Sequence, residues 1–275
     1  MTDKAPAQYT HSGKVEEVAR LEAQAQAMAA VIQREFELIG FKPRMKVLDA
    51  GCGTGANTRR IANAVSPGEV IGIDMDSLFI TEARKYASTE RIRNVRYDVG
   101  DITHLNYPDH TFDVTYCRLV LMHVHNPITT VAELKRVTKQ KGRVAVSDND
   151  DGGVITFPEM PKMLELWTQY GQSAKERGED RYIGRQLFSI FSQADLHSIN
   201  IHPLPVHATQ HNPKMLKLLV SVPVQIIELS KEYMITNGYM TETQYQEALQ
   251  EVHRFLKHPG AYAMGINFLA IGEVL

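Results

Sequence analysis

Residues 47–55 read Val-Leu-Asp-Ala-Gly-Cys-Gly-Thr-Gly and combine one carboxylate, Asp49, with a glycine at every second position from Gly51. The apolar residues around Asp49 predict a buried strand, and the glycines predict a loop at its carboxyl end. Because glycine has no side chain, such a loop lets backbone approach a bound small molecule closely. A helix predicted over residues 57–65 would point its N-terminus at the same molecule. The segment is therefore a candidate site for a nucleotide-like ligand.

Asp49 separates two kinds of ligand. Gly51, Gly53 and Ala56 also fit the looser glycine pattern of dinucleotide-binding loops. A carboxylate two residues before the first glycine would repel a pyrophosphate, however, and would attract an ammonium or sulfonium group. The segment resembles the first motif of the class I S-adenosyl-L-methionine-dependent methyltransferases, an acidic residue followed by three alternating glycines, matched by Asp49, Gly51, Gly53 and Gly55.

This resemblance is strong over residues 46–150 and implies a doubly wound α/β fold with a mostly parallel, seven-stranded, Rossmann-like sheet. It implies S-adenosyl-L-methionine as the cofactor, with Asp49 helping to hold its methionine end and the loop backbone, Thr54 included, passing beneath it. One departure is that Gln140-Lys141-Gly142 replaces the Pro-Gly-Gly common before the fifth strand, which still leaves one turn glycine.

Other candidate cofactor ligands follow the later strands, because open α/β sheets bind ligands beyond the carboxyl ends of their strands. Asp74 ends the second predicted strand and can accept hydrogen bonds from both ribose hydroxyls. Asp101 follows the third and is placed to accept from an adenine amino group, although an acid there also fits a turn or a helix cap. The other candidates are Met75 against the adenine face, Ile102 as an apolar wall, and Cys117 and Arg118, which offer backbone to the methionine part.

The N-terminal residues Tyr9-Thr-His-Ser, followed by Arg20 and Gln24, resemble the opening of a subgroup whose first helix covers the cofactor. That resemblance implies contacts from Tyr9 and Arg20 to the methionine end. The alternative is a helix that merely packs on the sheet with its polar face in solvent.

Methyl transfer from a sulfonium is an in-line displacement, so the protein supplies alignment and sometimes a base. We expect His123 and Asp148, after strands four and five, to be the catalytic candidates; a hydrogen-bonded structural role is the alternative for His123. Asp148-Asn149 also resembles half of a Mg²⁺ site in catechol-type methyltransferases, but that site needs an aspartate where this chain has Cys117. No metal is expected.

Strands and helices alternate in the first half of the chain, which predicts right-handed βαβ units. An amphipathic helix is predicted over residues 14–40. The predicted strands are 46–50, 70–74, 95–99, 112–117 and 143–147, and the predicted helices between them are 57–65, 77–88 and 127–138.

After residue 150 longer helical patterns dominate. The predicted helices are 157–177, 184–194, 213–237 and 241–256, and the predicted strands are 198–203 and 263–272, the last of them antiparallel. We therefore expect three parts. They are an N-terminal segment with a cofactor-covering helix (1–42), a cofactor-binding core (43–150), and a part (151–275) that holds helical lid insertions and the last two strands of the core sheet.

Composition bounds the remaining choices. A net charge of −2 and scattered basic residues argue against a dedicated nucleic-acid partner, and no apolar run is long enough to span a membrane. Two cysteines and no apolar leader favour the cytoplasm. The predicted lid residues indicate a small, fairly apolar acceptor and are Met160, Met163, Trp167, Tyr170, Tyr182, Met215 and Leu219.

Two rival functions remain open from the sequence. One is an NAD-dependent oxidoreductase, which Asp49 and the absence of a glycine at position 56 disfavour. The other is a non-catalytic scaffold that binds S-adenosylmethionine. The attacking atom of the acceptor and the oligomeric state, a homodimer included, are also open.

Overall fold

The computed structural model describes residue 13 and residues 15–275. They form two compact units. The first comprises the described residues up to Asp148, with Ile183–His202 and Phe268–Leu275; the second comprises Asn149–Tyr182 and Pro203–Asn267. Among these described residues, no helix combines the length and the apolar character that crossing a membrane requires.

The first unit contains the parallel strands that the sequence predicts. The strands are β1 (Lys46–Ala50), β2 (Glu69–Asp74), β3 (Val95–Val99), β4 (Phe112–Arg118) and β5 (Thr138–Asn149). The helices are α1 (Val15–Ala27), α2 (Ala29–Ile39), α3 (Ala56–Val65), α4 (Ser77–Thr89) and α5 (Pro127–Val137), with a 3₁₀ turn at Leu121–His123. The parallel strands run in the order β3-β2-β1-β4-β5.

The remaining elements complete the chain. They are β6 (Ile155–Phe157), α6 (Pro161–Glu176), α7 (Leu187–Gln193), β7 (His197–Thr209), α8 (Pro213–Thr236), α9 (Glu242–Lys257) and β8 (Tyr262–Glu273), with 3₁₀ turns at Asp151–Gly153 and Ile183–Gln186. β8 lies beside β5 and is also paired with β7 and, antiparallel, with β6. The doubly wound, mostly parallel α/β fold is confirmed, with eight strands in the described residues instead of seven because the sequence pattern missed β6.

The long N-terminal helix predicted over residues 14–40 is wrong in its continuity. The structure has two helices, α1 and α2, separated at Met28, whose φ and ψ of −86° and 8° leave the helical range. Backbone hydrogen bonds from Met28 to Gln24 and from Ile32 to Met28 continue across the junction. The apolar period therefore runs through a bend of a single residue.

The helix predicted to start at residue 157 begins instead at Pro161, which occupies its first turn. A residue before proline is disfavoured in helical conformation, and Phe157 precedes Pro158. Residues 155–157 form β6, with Ile155 opposite Met264. The helix predicted over 184–194 is likewise a 3₁₀ turn followed by α7.

The fifth strand is longer than the predicted 143–147 at both ends. Lys141, in the predicted turn, has a positive φ of 62°, and its N–H donates to the carbonyl of Val274 at 2.7 Å. The N–H of Val274 donates in turn to Gly142 at 3.0 Å. These two hydrogen bonds join the first half of β5 to the distant C-terminus.

Each unit has its own apolar core. In the first, the sheet residues Leu48, Ile71, Cys117 and Val146 are buried. In the second, α6, α8 and α9 enclose the other cluster. Four of the predicted lid residues, Met160, Met163, Trp167 and Tyr170, belong to this second core, with exposures of 8% or less.

Candidate active site

The loop between β1 and α3 adopts the backbone conformation that its glycines allow. Gly51, Gly53 and Gly55 have φ values of 75°, 53° and 76°, in the left-handed region that is unfavourable for other residues. The N–H groups of Gly51 and Cys52 donate to the carbonyl of Ile73 on β2, at 2.8 and 3.0 Å. The loop is therefore anchored to the neighbouring strand at the carboxyl edge of the sheet.

The side chains of Val120 and Tyr97 pack against this loop. A Cβ atom at Gly51 would overlap Cγ2 of Val120 and would lie 3.1 Å from its Cγ1. A Cβ at Gly55 would lie 2.5 Å from the hydroxyl of Tyr97, which rises from β3. Gly51 and Gly55 are therefore required for two reasons: their backbone is left-handed, and a Cβ atom would not fit beside Val120 or Tyr97.

We expect Gly51→Ala to destabilise the fold more than Gly238→Ala. Both positions have a φ of 75°, but within the described residues the space around a Cβ at Gly238 is open to 4 Å. Both variants carry the left-handed strain of roughly 1 kcal/mol, and only Gly51→Ala adds overpacking of about 1–3 kcal/mol. Urea unfolding measures the difference; equal losses would show that Val120 moves aside freely.

Asp74 ends β2 and fixes the glycine loop through its carboxylate. Oδ2 accepts from the N–H of Gly53 at 2.8 Å, and Oδ1 accepts from the N–H of Asp76 at 2.9 Å. Burial raises the pKa of Asp74, while these two backbone donors oppose the increase. Asp76 itself caps α4 by accepting from the N–H of Leu78 at 2.8 Å. Asp74 therefore lies at the end of β2 beside the glycine loop, and its contact with the ribose stays a prediction.

Asp49 lies on the adjacent strand and is almost completely buried, with an exposure of 2%. The hydroxyl of Thr58 on α3 donates to its Oδ2 at 2.6 Å. Burial raises the pKa of Asp49 to about 7; the hydrogen bond from Thr58 and the charge of Arg118 oppose this, and Asp74 reinforces it. Burial is thus the largest influence on this carboxyl group.

Helix α1 is attached to the same loop by Glu22. Its Oε1 accepts from the hydroxyl of Thr54 at 2.6 Å, and its Oε2 pairs with Arg59 at 2.7 Å. Arg59, on α3, also donates to the carbonyl of Thr54 at 2.9 Å. The hydroxyl and the carbonyl of Thr54 are thus both engaged by the protein.

Arg20 and Tyr9 are the other residues of the N-terminal segment that are predicted to contact the cofactor. Arg20 pairs with Glu17 at 2.6 Å and donates to Gln24 at 2.6 Å, both on its own helix. Tyr9 lies outside the described residues. Their proposed contacts with the methionine end of the cofactor stay predictions.

The candidate adenine-binding residues differ in accessibility. Met75 is 52% exposed at the end of β2, so its side chain is open to a ligand. Ile102 is 6% exposed and belongs to the core. Asp101 is exposed, but its Oδ1 accepts from the N–H and the hydroxyl of Thr103, each at 2.8 Å. One carboxylate oxygen of Asp101 therefore stabilises a turn, which is the alternative to a contact with the adenine.

At the end of β4, the side chains of the two candidates face the interior. Cys117 is completely buried, and burial raises the pKa of its thiol well above the ordinary range. Arg118 pairs with Glu35 of α2 at 3.1 Å, and both side chains are buried. Only their backbone groups fit the predicted role beside the cofactor.

The two catalytic candidates lie in the same unit. His123 ends the 3₁₀ turn after β4 and is half-buried. Asp148 is completely buried near the end of β5. Their roles in catalysis stay predictions.

Sequence reasoning missed three residues that shape this site: Glu22, Glu35 and Tyr97. Glu22 and Glu35 lie on helices where a carboxylate usually indicates a solvated face. Glu35 does, however, occupy the position just before Phe36 on the apolar side of α2, which was a usable signal. Tyr97 is the central residue of the strand sequence Val-Arg-Tyr-Asp-Val, and nothing local indicates that it supports the glycine loop.

Comparisons with known proteins identify the family of this chain. A family model described as a methyltransferase domain matches residues 41–199. An uncharacterized methyltransferase of Schizosaccharomyces pombe is 31% identical over 163 residues, which cover 57% of this chain and 58% of that protein. Phosphoethanolamine N-methyltransferase of Triticum aestivum is 34% identical over 116 residues, covering 42% and 23% respectively. The chain thus spans less than two thirds of the length of these relatives.

A solved structure extends the comparison to most of the chain. It is phosphoethanolamine N-methyltransferase 2 of Haemonchus contortus in complex with phosphomonomethylethanolamine and S-adenosylhomocysteine. The TM-score is 0.58 at 16% identity, covering 90% of this chain and 53% of the other. At that identity the likeness establishes the shared fold.

Proposed function

The chain belongs to the methyltransferase-domain family, in its class I, S-adenosyl-L-methionine-dependent type, and from that premise we propose that it transfers the methyl group of this cofactor to a small molecule. The resemblance, enzyme class and cofactor inferred from the sequence are thereby confirmed. The dehydrogenase alternative is set aside.

One observation carries the proposal at the level of residues. A buried carboxylate, Asp49, and a partly buried one, Asp74, lie near the carboxyl ends of adjacent parallel strands, and the N–H of Gly53 donates to Asp74 at 2.8 Å. We assign Asp49 to the ammonium of the methionine end and Asp74 to the ribose hydroxyls. Met75 and Asp101 serve the adenine, while the backbone of Gly51, Cys117 and Arg118 borders the methionine chain.

His123 and Asp148 are our candidates for orienting the acceptor or removing its proton. Half-burial leaves the imidazole of His123 able to meet a ligand. The sulfonium is already an activated methyl donor, so the protein's main contribution is alignment and exclusion of water. A base is needed only when the attacking atom carries a proton.

We propose a small acceptor of fairly apolar character and a cytoplasmic location. The apolar character is supported by Tyr182, Met215 and Leu219, which are half-buried; the other predicted lid residues fill the core of the second unit. The location is supported by two cysteines, Cys52 and Cys117, that are buried and free. That residues 151–275 act as a lid stays part of this proposal.

Binding of the cofactor product is the first test. Isothermal titration with S-adenosylhomocysteine should give a one-site isotherm with micromolar affinity, and a thermal-shift comparison should show stabilisation by S-adenosylmethionine and none by NADH. No heat of binding up to millimolar ligand would contradict the proposal.

Turnover is the second test. With S-adenosylmethionine labelled in its methyl group and a metabolite extract as acceptor, we expect label in the organic-soluble fraction. Label confined to the aqueous fraction would overturn the apolar acceptor but leave the enzyme class intact. Binding without any transfer would favour the non-catalytic scaffold.

A further inference from the structure

Glu35 is a completely buried carboxylate on α2 that accepts hydrogen bonds from three side chains. The hydroxyl of Tyr116 donates to Oε2 at 2.6 Å, and Nε of Arg118 donates to the same oxygen at 3.1 Å. The hydroxyl of Ser147 donates to Oε1 at 2.8 Å. We call this group of four residues the Glu35 clamp.

The clamp joins the carboxyl ends of two strands to one helix. Tyr116 and Arg118 lie on β4, and Ser147, on β5, is the register partner of Arg118. Burial alone would lower the pKa of Arg118, but Glu35 and neighbouring acids outweigh this effect and raise it, so the guanidinium stays charged. A buried ion pair of this kind contributes little net stability yet tolerates little displacement.

The residues that follow Arg118 contact the glycine loop (residues 51–55), which we call the cofactor loop from here on. Leu119, next after Arg118, has a positive φ of 57°, and its N–H donates to the carbonyl of Ser147 at 2.8 Å. This turn directs Val120 against Gly51, where its side chain fills the space that a Cβ would need. Val120 therefore lies in a turn whose preceding residue, Arg118, and whose hydrogen-bond acceptor, Ser147, both contact Glu35.

We propose that Glu35 is a positioning residue for the cofactor loop, acting through Arg118, Ser147 and Val120 on Gly51. The inference rests on the proposed function, since Gly51 borders the cofactor there. Glu35 makes no contact with the cofactor in this proposal. Through these contacts Glu35 fixes the position of the Val120 side chain against the backbone of the cofactor loop.

The test compares ligand affinity with stability. Glu35→Gln leaves Arg118 as an uncompensated buried charge and is expected to be unstable. The double variant Glu35→Gln/Arg118→Met removes both charges while amide acceptors and donors remain for Tyr116 and Ser147. We expect this double variant to melt at a temperature close to that of the parent protein. We expect it to bind S-adenosylhomocysteine about 10-fold more weakly, a factor of the size found for coupling between residues in contact.

Val120→Ala supplies the readout that a purely structural role would not change. Alone, it should weaken S-adenosylhomocysteine binding several-fold; added to the double variant, it should weaken binding little further, because both act on Gly51 by the same route. The control is Thr115→Val, which removes the buried 2.9 Å hydrogen bond between Thr115 and Thr138 on the same two strands. It should lower the melting temperature without changing affinity.

The outcomes are distinct. Affinity of the double variant within twofold of the parent, or fully additive losses with Val120→Ala, would overturn the role of Glu35. Failure of the parent protein to bind S-adenosylhomocysteine would instead overturn the proposed function. A parent that binds, with non-additive losses in the variants, supports both.

Discussion

Replacing Asp74 by alanine is expected to weaken S-adenosylhomocysteine binding about 100-fold or more. The carboxylate would make two charged hydrogen bonds to the ribose, each contributing roughly 1.5–3 kcal/mol, and it also holds the N–H of Gly53 at 2.8 Å. Its loss therefore removes a ligand contact and loosens the loop. Isothermal titration of the purified variant measures the change.

Asp113→Ala is the matched control for that experiment. Asp113 also accepts from a backbone N–H, that of Lys46, at 2.7 Å, and also pairs with Lys139. It lies at the start of β4, on the edge of the sheet opposite to the cofactor loop. We expect a lower melting temperature and unchanged affinity. If both variants lost affinity equally, the effect of Asp74 would be general destabilisation and the assignment would fail.

Asp49→Asn is expected to abolish detectable cofactor binding while raising the stability of the cofactor-free protein above neutral pH. Burial raises the pKa of Asp49 from its ordinary 3.8 to about 7 in the folded state. Between those values the folded protein keeps a proton that the unfolded chain releases, so stability falls as pH rises and the penalty is complete above pH 7. Asparagine can still accept from Thr58 but carries no charge, so the penalty disappears.

The measurement is a series of thermal melts without ligand. The variant should melt higher than the parent by roughly 10 °C at pH 8, corresponding to about 4 kcal/mol, and the difference should shrink towards pH 4. A difference that does not vary with pH would contradict the buried charge as its cause. Parent-like affinity for S-adenosylhomocysteine in the variant would contradict the role of Asp49 in holding the cofactor.

The cofactor loop could be predicted because its signals are local. Asp49 and the three glycines are adjacent in sequence, and each glycine is used in the left-handed conformation that only glycine adopts easily. Asp74 could be predicted for a related reason. Strand ends in a parallel sheet share one edge, so an acid that ends the second strand must lie near the loop that ends the first.

What supports the loop could not be predicted. The side chain of Val120 reaches it from the turn after β4 and that of Tyr97 from β3, and Glu35 accepts a hydrogen bond from Ser147, more than a hundred residues away in sequence. Such pairs depend on strand order and on side-chain direction, and neither has a local pattern. The extended start of β5 is another case, since the residue that pairs with it is Val274. Sequence periodicity also cannot distinguish a buried carboxylate from an exposed one.

The one tryptophan of the chain, Trp167, lies in the core of the second unit, stacked on Tyr170 at 5.2 Å and covered by Arg181 at 5.4 Å. Asp49, Asp74 and the glycine loop belong to the first unit. Tryptophan fluorescence therefore monitors the environment of α6 in the second unit. An unfolding curve followed by this signal alone reports on that unit, whereas calorimetry would register both units.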